Sequence, residues 1–490
     1  MTQGAKIKEI VPLGGRESAS RCARCRRGGG DPDRHAGLFR RLPEVSVRHN
    51  AIARKGTANA VSGGSAAPAA REKSPVPGTS DLVSVVNCRY VAVKAATTVV
   101  AADSSMADRV YLDWNATTPL RQEAKAAIAA AWELIGNPSS VHSEGRRARR
   151  LVEDARNAVA RAVGGRPQDV VFLSGGTEAN ALALTPGLRR AAGAPVQRLL
   201  VSAIEHASVL AGGRFATEAT AAIHVTRAGV IDLNHLRALL ADGPPALVSV
   251  MLANNETGAI QPVADVAAIV HAAGGLLHVD AIQAFGKIPF DLASTQADLV
   301  TLSAHKIGGP KGAGALVLAE GVEGLVAFLR GGGQELGRRA GTENIAGIAG
   351  FGAAAKAAMA VLKADAARVR GLRDRLEHGL RQTPDVLVFS DDVKRLPNTV
   401  LFTAPGMKAE TAVIGFDLGG IAVSSGSACS SGKVQPSHVL EAMGYRSEVS
   451  QGAVRLSLGW STTETDVDLT LKAWRKLADT LVKGERRNTA

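Results

Sequence analysis

From Val170 to Ala319 the chain alternates short apolar runs with segments of helical period, and that alternation limits the folds open to it. The runs are VVFLS (170–174), RLLVSA (198–203), ALVSVMLA (246–253), GLLHVDA (275–281), ADLVTLSA (297–304) and GALVLA (314–319). Each is rich in Val and Leu and bounded by polar or glycine turns. Near-continuous apolar strands suit a sheet covered on both faces, and helices between such strands give parallel neighbours. Residues 144–163 place Leu151, Val152, Ala155, Val159 and Val163 on one helical face. The expected fold class is α/β, a mainly parallel sheet with helices on both faces.

After about residue 362 the texture shifts. A long charged helix (LKADAARVRGLRDRLEHGLRQ) is followed by strand-like NTVLFTA and AVRLSLG. A final helix carries Val467, Leu471, Trp474, Leu477 and Leu481 on one stripe, with Thr463 and Asp466 as its capping box. The expected organisation is a large α/β domain over 122–362 and a smaller α+β domain built from 106–121 and 363–487. IAGIAGFGAAA, from Ile345, reads as a buried helix, because no apolar run reaches the ~18 residues of a membrane span.

Residues 1–105 differ in kind. They are rich in Arg, Gly, Ser and Pro and show no sustained period, the composition of a disordered basic extension. Ordered patterning begins near Met106, which suits an upstream extension before a later start. Seventeen Lys+Arg and eight Asp+Glu fall there, so +9 of the net charge of +13 belongs to this segment. The rest of the chain is close to balanced, and nucleic-acid binding is not implied. Of four cysteines, Cys22, Cys25 and Cys88 lie in the extension and only Cys429 beyond it. Cys22 and Cys25 form a lone CxxC with no second pair to complete a zinc site. A single thiol in the core argues against a disulfide framework. No signal-like apolar region follows Met1. The expected setting is reducing and cytoplasmic, without a membrane.

The chemistry concentrates in LSAHKIGGPKGAGAL (302–316). It is not a P-loop, because Lys311 is followed by Gly312 and the glycines lead into a strand. Lys306 instead sits just past a buried strand, where ligands of open α/β sheets gather. A lysine there can hold an aldehyde cofactor if an acid faces the ring nitrogen and small donors hold a phosphate. HVDAIQ places Asp280 after one strand, with Gln283 three residues on. SGGTEAN opens a helix after another, so its backbone N–H groups and Thr177 suit an anion. Ser303 and His305 add donors.

With GNPSSVH (136–142), EHASV (205–209), NNETGAIQP (254–262), GGGQELGRRAGTEN (331–344) and SSGSACSSG (424–432), the chain resembles the class V aminotransferase-like pyridoxal phosphate enzymes. Within them it resembles the NifS/IscS-type cysteine desulfurases, from about residue 111 to 468. The resemblance implies a fold-type I architecture and pyridoxal 5'-phosphate held as a Schiff base on Lys306. It implies Asp280 on the ring nitrogen, His206 against the ring as a proton handler, and Asn255 and Gln283 near the phenolic oxygen. Thr177, Ser303, His305 and the backbone of Gly176 would hold the phosphate, with Thr342 reaching in from the other subunit of a homodimer. Asn255 and Arg455 would bind the carboxylate of L-cysteine. Cys429 would attack the substrate sulfur, leaving L-alanine and a Cys429 persulfide. The sulfur would pass to an iron–sulfur scaffold or other acceptor, and Cys429 could share a transient cluster with that scaffold. A selenocysteine lyase, another enzyme of the family or a non-catalytic partner subunit are the alternative readings. One departure is Gln334, where family members often carry a histidine.

Overall fold

The structure is a computed structural model that describes residues 109–426 and 436–488. The basic extension and Cys429 lie outside the described residues. Seven strands form the central sheet: β1 (Val170–Leu173), β2 (Arg198–Ser202), β3 (Thr220–Ile223), β4 (Ala246–Met251), β5 (Leu276–Asp280), β6 (Leu299–Ser303) and β7 (Gly314–Leu318). Their order is β1-β7-β6-β5-β4-β2-β3. β7 runs antiparallel to both its neighbours and every other pairing is parallel. All six apolar runs are strands of this sheet. The seventh strand, β3, was not anticipated. It is an edge strand of small residues, TAAI, with only Ile223 fully buried, so it carries no apolar run to read.

Alternation explains why the runs are apolar throughout. Phe172, Leu200, Val248, Val250, Leu277, Val279, Val300, Leu302, Ala315 and Val317 enter one core cluster. Their neighbours Val171, Leu173, Leu199, Val201, Leu247, Leu276, Leu299, Leu316 and Leu318 enter another on the opposite face. Each such side chain contributes roughly 1.5–3 kcal/mol when fully buried. On the first face pack α1 (Gln122–Trp132) and α2 (Ser143–Ala162), through Ala124, Val152, Ala155 and Val159. On the second lies α3 (Gly176–Ala183), through Ala179, Leu182 and Ala183. That second face changes character along the strands. Leu247, Leu276 and Leu299 give way to Ser249, His278 and Thr301, then to Met251, Asp280 and Ser303 at the carboxyl ends.

One helix, α4 (Ile345–Leu380), joins what the sequence reading separated near residue 362. The apolar run stops at Lys356 because that residue faces solvent, while the helix continues. Its first half packs Ile348, Phe351, Ala354, Ala355 and Ala358 into the core over α1 and α2. Its second half puts Val369, Leu372, Leu376 and Leu380 into a separate cluster with Phe402, Leu456 and Trp474. Among the described residues α4 is long and apolar enough to cross a membrane by length and composition, but its apolar part is largely core.

The second cluster lies against a four-stranded antiparallel sheet, β8 (Leu387–Val388), β9 (Thr399–Thr403), β10 (Ser424–Ser425) and β11 (Val454–Ser457), ordered β8-β9-β11-β10. The last helix, α5 (Glu464–Asn488), starts with the expected reciprocal cap. Asp466 N donates to Thr463 Oγ1 at 3.2 Å and Thr463 N to Asp466 Oδ2 at 2.8 Å. Val467, Leu471 and Trp474 are buried as expected.

The glycines of GPKGAGAL have separate causes. Gly312 turns the chain at φ +81°. Gly314 begins β7 directly beneath Gly175, where a Cβ would meet the Gly175 carbonyl carbon at 2.5 Å. Both atoms there are backbone, so neither yields easily. Gly314→Ala is expected to lower unfolding stability by about 1–3 kcal/mol in chemical denaturation. Gly333→Ala, whose added methyl meets nothing within 4 Å, should leave it unchanged.

Candidate active site

Parallel strands present their carboxyl ends on one edge of the sheet, and the candidate residues collect there. β5 ends in Asp280, with Ile282 and Gln283 in the following turn. β6 ends in Ser303, and a 3-10 turn, Ala304–Lys306, carries His305 and Lys306. The first turn of α3 supplies Gly176 and Thr177, the loop after β2 supplies His206, and the loop after β4 supplies Asn255. β11 contributes Arg455 from the small sheet. All ten line one cavity of about 270 Å³, together with Asn115, Ala116, Ser208, Met251, Ala253 and Ile282. Thr342 does not. It is exposed and lines another cavity, with Ser174, Gly312 and Arg339.

Asp280 is only 5% exposed. Burial raises its pKa, opposed by the Ile282 N–H at 3.0 Å, the Asn180 amide at 2.9 Å, and the nearby His206 and Lys306. Burial lowers the His206 pKa, so its ring favours the neutral form. His206 Nδ1 lies 2.8 Å from Ser208 Oγ and accepts from Ser208 N at 3.2 Å. His305 is pushed down to about 4 by burial and by Lys306, Lys311 and Lys287. Lys306 Nζ donates to the carbonyls of Asn115 at 2.5 Å and Ala116 at 2.8 Å. Arg455 donates to Asn255 O at 3.0 Å and to Asp113 Oδ1 at 2.8 Å.

Two features fit a bound anion and a ring nitrogen. The buried Ser303 Oγ has no hydrogen-bond partner among the described residues, and the space where a Gly175 Cβ would stand is open. A buried donor beside the first turn of a helix suits a phosphate. Asp280 suits a protonated nitrogen, because a desolvated carboxylate is stabilised by a facing cation.

A family model described as aminotransferase class-V matches residues 110–470. The chain belongs to the class-V aminotransferase family. Among its relatives, a cysteine desulfurase of Cereibacter sphaeroides is 44% identical over 381 residues, 76% of this chain and 97% of that protein. An IscS-like cysteine desulfurase of Mycobacterium tuberculosis is 42% identical over 74% of this chain and 94% of its own. A solved structure, the NifS-like protein from Rickettsia africae, shares 36% identity at a TM-score of 0.69, over 76% of this chain and 99% of that one. Within the class-V aminotransferases the chain therefore groups with the NifS/IscS-type cysteine desulfurases, which depend on pyridoxal phosphate.

At and around this class-V aminotransferase site stand residues to which the motifs gave no role. Asn115, Asn180, Ser208 and Lys287 have no catalytic signature, and only tertiary packing brings them in. Lys287 donates to Gln283 Oε1 at 2.6 Å and Asn115 Oδ1 at 2.8 Å, and burial holds its pKa well below the usual lysine range. Glu256, beside Asn255, accepts from Ser437 Oγ at 2.5 Å. Burial pushes the Glu256 carboxyl up to about 7. The folded protein then holds a proton that the unfolded chain releases at lower pH. Glu256 therefore makes stability fall as pH rises from its ordinary value to about 7. Glu256→Gln should stabilise the protein at about pH 8, by on the order of 3 kcal/mol at most, and give no gain at about pH 5. Thermal melts at the two pH values measure this.

Proposed function

We propose that this chain is a pyridoxal phosphate-dependent cysteine desulfurase that moves sulfur from L-cysteine to Cys429 and on to an iron–sulfur scaffold. The observation that carries the reading is the meeting of Lys306, Asp280, His206, Ser303 and Arg455 in one cavity. Lys306 would hold the cofactor's aldehyde. Ser303, Thr177, His305 and the backbone of Gly176 would hold its phosphate, and Asp280 its ring nitrogen. Bound there, pyridoxal phosphate supplies an electron sink for charge developing at the substrate's α-carbon. Lys306 is also the amine that would carry the α-proton. His206 would cover the ring, and Gln283 and Asn255 would present their amides to its oxygen side. Arg455, with Asn255, would receive the substrate carboxylate through charge-assisted hydrogen bonds.

Cys429 as thiolate would attack the substrate sulfur. The new S–S bond forms as the Cβ–S bond breaks, and protonation of the remaining three-carbon unit yields L-alanine. A homodimer is proposed, in which the exposed Thr342 serves the partner's site. We also divide the chain into a large lobe, 122–362, holding the cofactor, and a small one, 106–121 with 363–487, bearing Cys429.

Two substitutions separate the steps. Lys306→Ala is expected to remove both the visible absorption of the cofactor linkage and all alanine formation. Cys429→Ala is expected to keep the absorption but form no protein persulfide, measured by mass spectrometry after one turnover with cysteine. Sulfide release by Cys429→Ala at the wild-type rate without added thiol would overturn the persulfide step.

A further inference from the structure

Behind Asp280 a run of buried polar side chains crosses the α3 face of the sheet. Ser249 Oγ lies 2.8 Å from His278 Nδ1, and His278 Nε2 lies 3.2 Å from Thr301 Oγ1. Thr301 Oγ1 donates to Asn180 Oδ1 at 2.7 Å, and Asn180 Nδ2 donates to Asp280 Oδ2 at 2.9 Å. Ser249, His278, Thr301 and Asn180 are each 0% exposed, and none lines the cavity. Leu247, Leu276 and Leu299 fill the same face one step earlier on the same strands, so apolar packing was available. Buried polar groups are expensive unless every one is satisfied.

The end of the run fixes its direction. The Ser249 hydroxyl has one proton, and among the described residues its side chain has one hydrogen-bond partner, His278 Nδ1. A neutral imidazole that accepts there carries its own proton on Nε2 and donates to Thr301. Burial holds His278 at a pKa of about 3, which keeps the ring neutral. The Thr301 proton then goes to Asn180 Oδ1, so the Asn180 NH2 must face the other way. Its two protons reach Asp280 Oδ2 and Ser208 Oγ, the latter at 2.9 Å. Ser208 in turn donates to His206 Nδ1, leaving the His206 proton on Nε2. Reversing every bond would place a proton on Asp280 and strand the Ser249 proton in the core.

We propose that Ser249, His278, Thr301 and Asn180 are positioning residues, a one-way chain of donors that holds Asp280 as an acceptor and His206 as its Nε2–H tautomer. The consequence rests on the pyridoxal phosphate reading above: with Asp280 unable to donate, the ring nitrogen facing it carries the proton.

Nitrogen-15 NMR of the full-length protein tests this. In both the apoprotein and the holoenzyme, His278 is expected as the neutral Nε2–H tautomer across the neutral pH range. An imidazolium or an Nδ1–H tautomer would overturn the chain whatever any variant does. In holoenzyme loaded with ring-labelled pyridoxal phosphate, Thr301→Val keeps the shape and removes the donor. It should move the ring-nitrogen signal toward the unprotonated position and lower turnover about tenfold or more, the usual scale for partners behind a functional side chain. Thr301→Ser should restore both. A ring nitrogen as protonated in Thr301→Val as in the wild type would refute the role. If the protein binds no pyridoxal phosphate, the proposed function fails, while the His278 signal still decides the direction of the chain.

Discussion

Taking the Asp280 carboxyl out of water costs several kcal/mol unless hydrogen bonds and neighbouring cations replace the lost hydration. The parallel strands make that replacement possible. β4, β5 and β6 deliver their carboxyl ends to one edge, so the backbone after Asp280 turns immediately and Ile282 N–H points back at the carboxylate. The helix that covers this face brings Asn180 to the other oxygen. β7 runs the opposite way, so its first residue, Gly314, lies at the same edge, paired with Ser303 on one side and Leu173 on the other. Having no side chain, Gly314 lets the start of α3 descend onto the sheet. The first turn of α3 and the buried acid are thus set by the same strand geometry.

The wall of the cavity facing the small sheet depends on one residue in the short segment before α1. Asn115 N donates to Ser457 Oγ, and its side-chain amide donates to Thr399 Oγ1 and Asn255 O. Asn115 Oδ1 accepts from Lys287 and Asn398, and its carbonyl accepts from Lys306 and Gln283. Every polar atom of Asn115 is used. Residues from the central sheet's edge, the small sheet and Lys306 therefore meet on a single residue, through its side-chain amide and its backbone carbonyl.

The sheet was legible because two-sided burial writes itself as unbroken Val/Leu runs. β3 was not, because an edge strand needs no such run. The division of α4 at residue 362 came from a change of neighbours along one rod, which alters the apolar pattern as a helix end would. The cavity residues that sequence motifs exposed sit at strand ends or in glycine turns, where local spacing carries the signal. His278 was visible within HVDAIQ but gave no sign of purpose, since its partners Ser249 and Thr301, and Asn180 beyond Thr301, come from three other elements. Asn115 and Lys287 are legible only once the segment before α1 is seen to cross the cavity. Thr342 remained apart from the rest of the site within one chain.

The charges around the cavity are arranged so that its cations are not bare. Arg455 is 2% exposed and already shares its guanidinium with Asp113. Its Nε has no hydrogen-bond partner among the described residues. A substrate carboxylate arriving there would meet an oriented fork whose charge is partly balanced, which favours geometric selection over raw attraction. The buried acids Glu205 and Glu256 have pKa values raised by desolvation. Lys287, half-buried and donating to two amide oxygens, has its pKa lowered by desolvation. The remaining contrast is between a carboxylate, Asp280, and an amine, Lys306, lining one cavity. That polarity is what a cationic ring nitrogen at one end of a cofactor and an aldehyde carbon beside an amine would require.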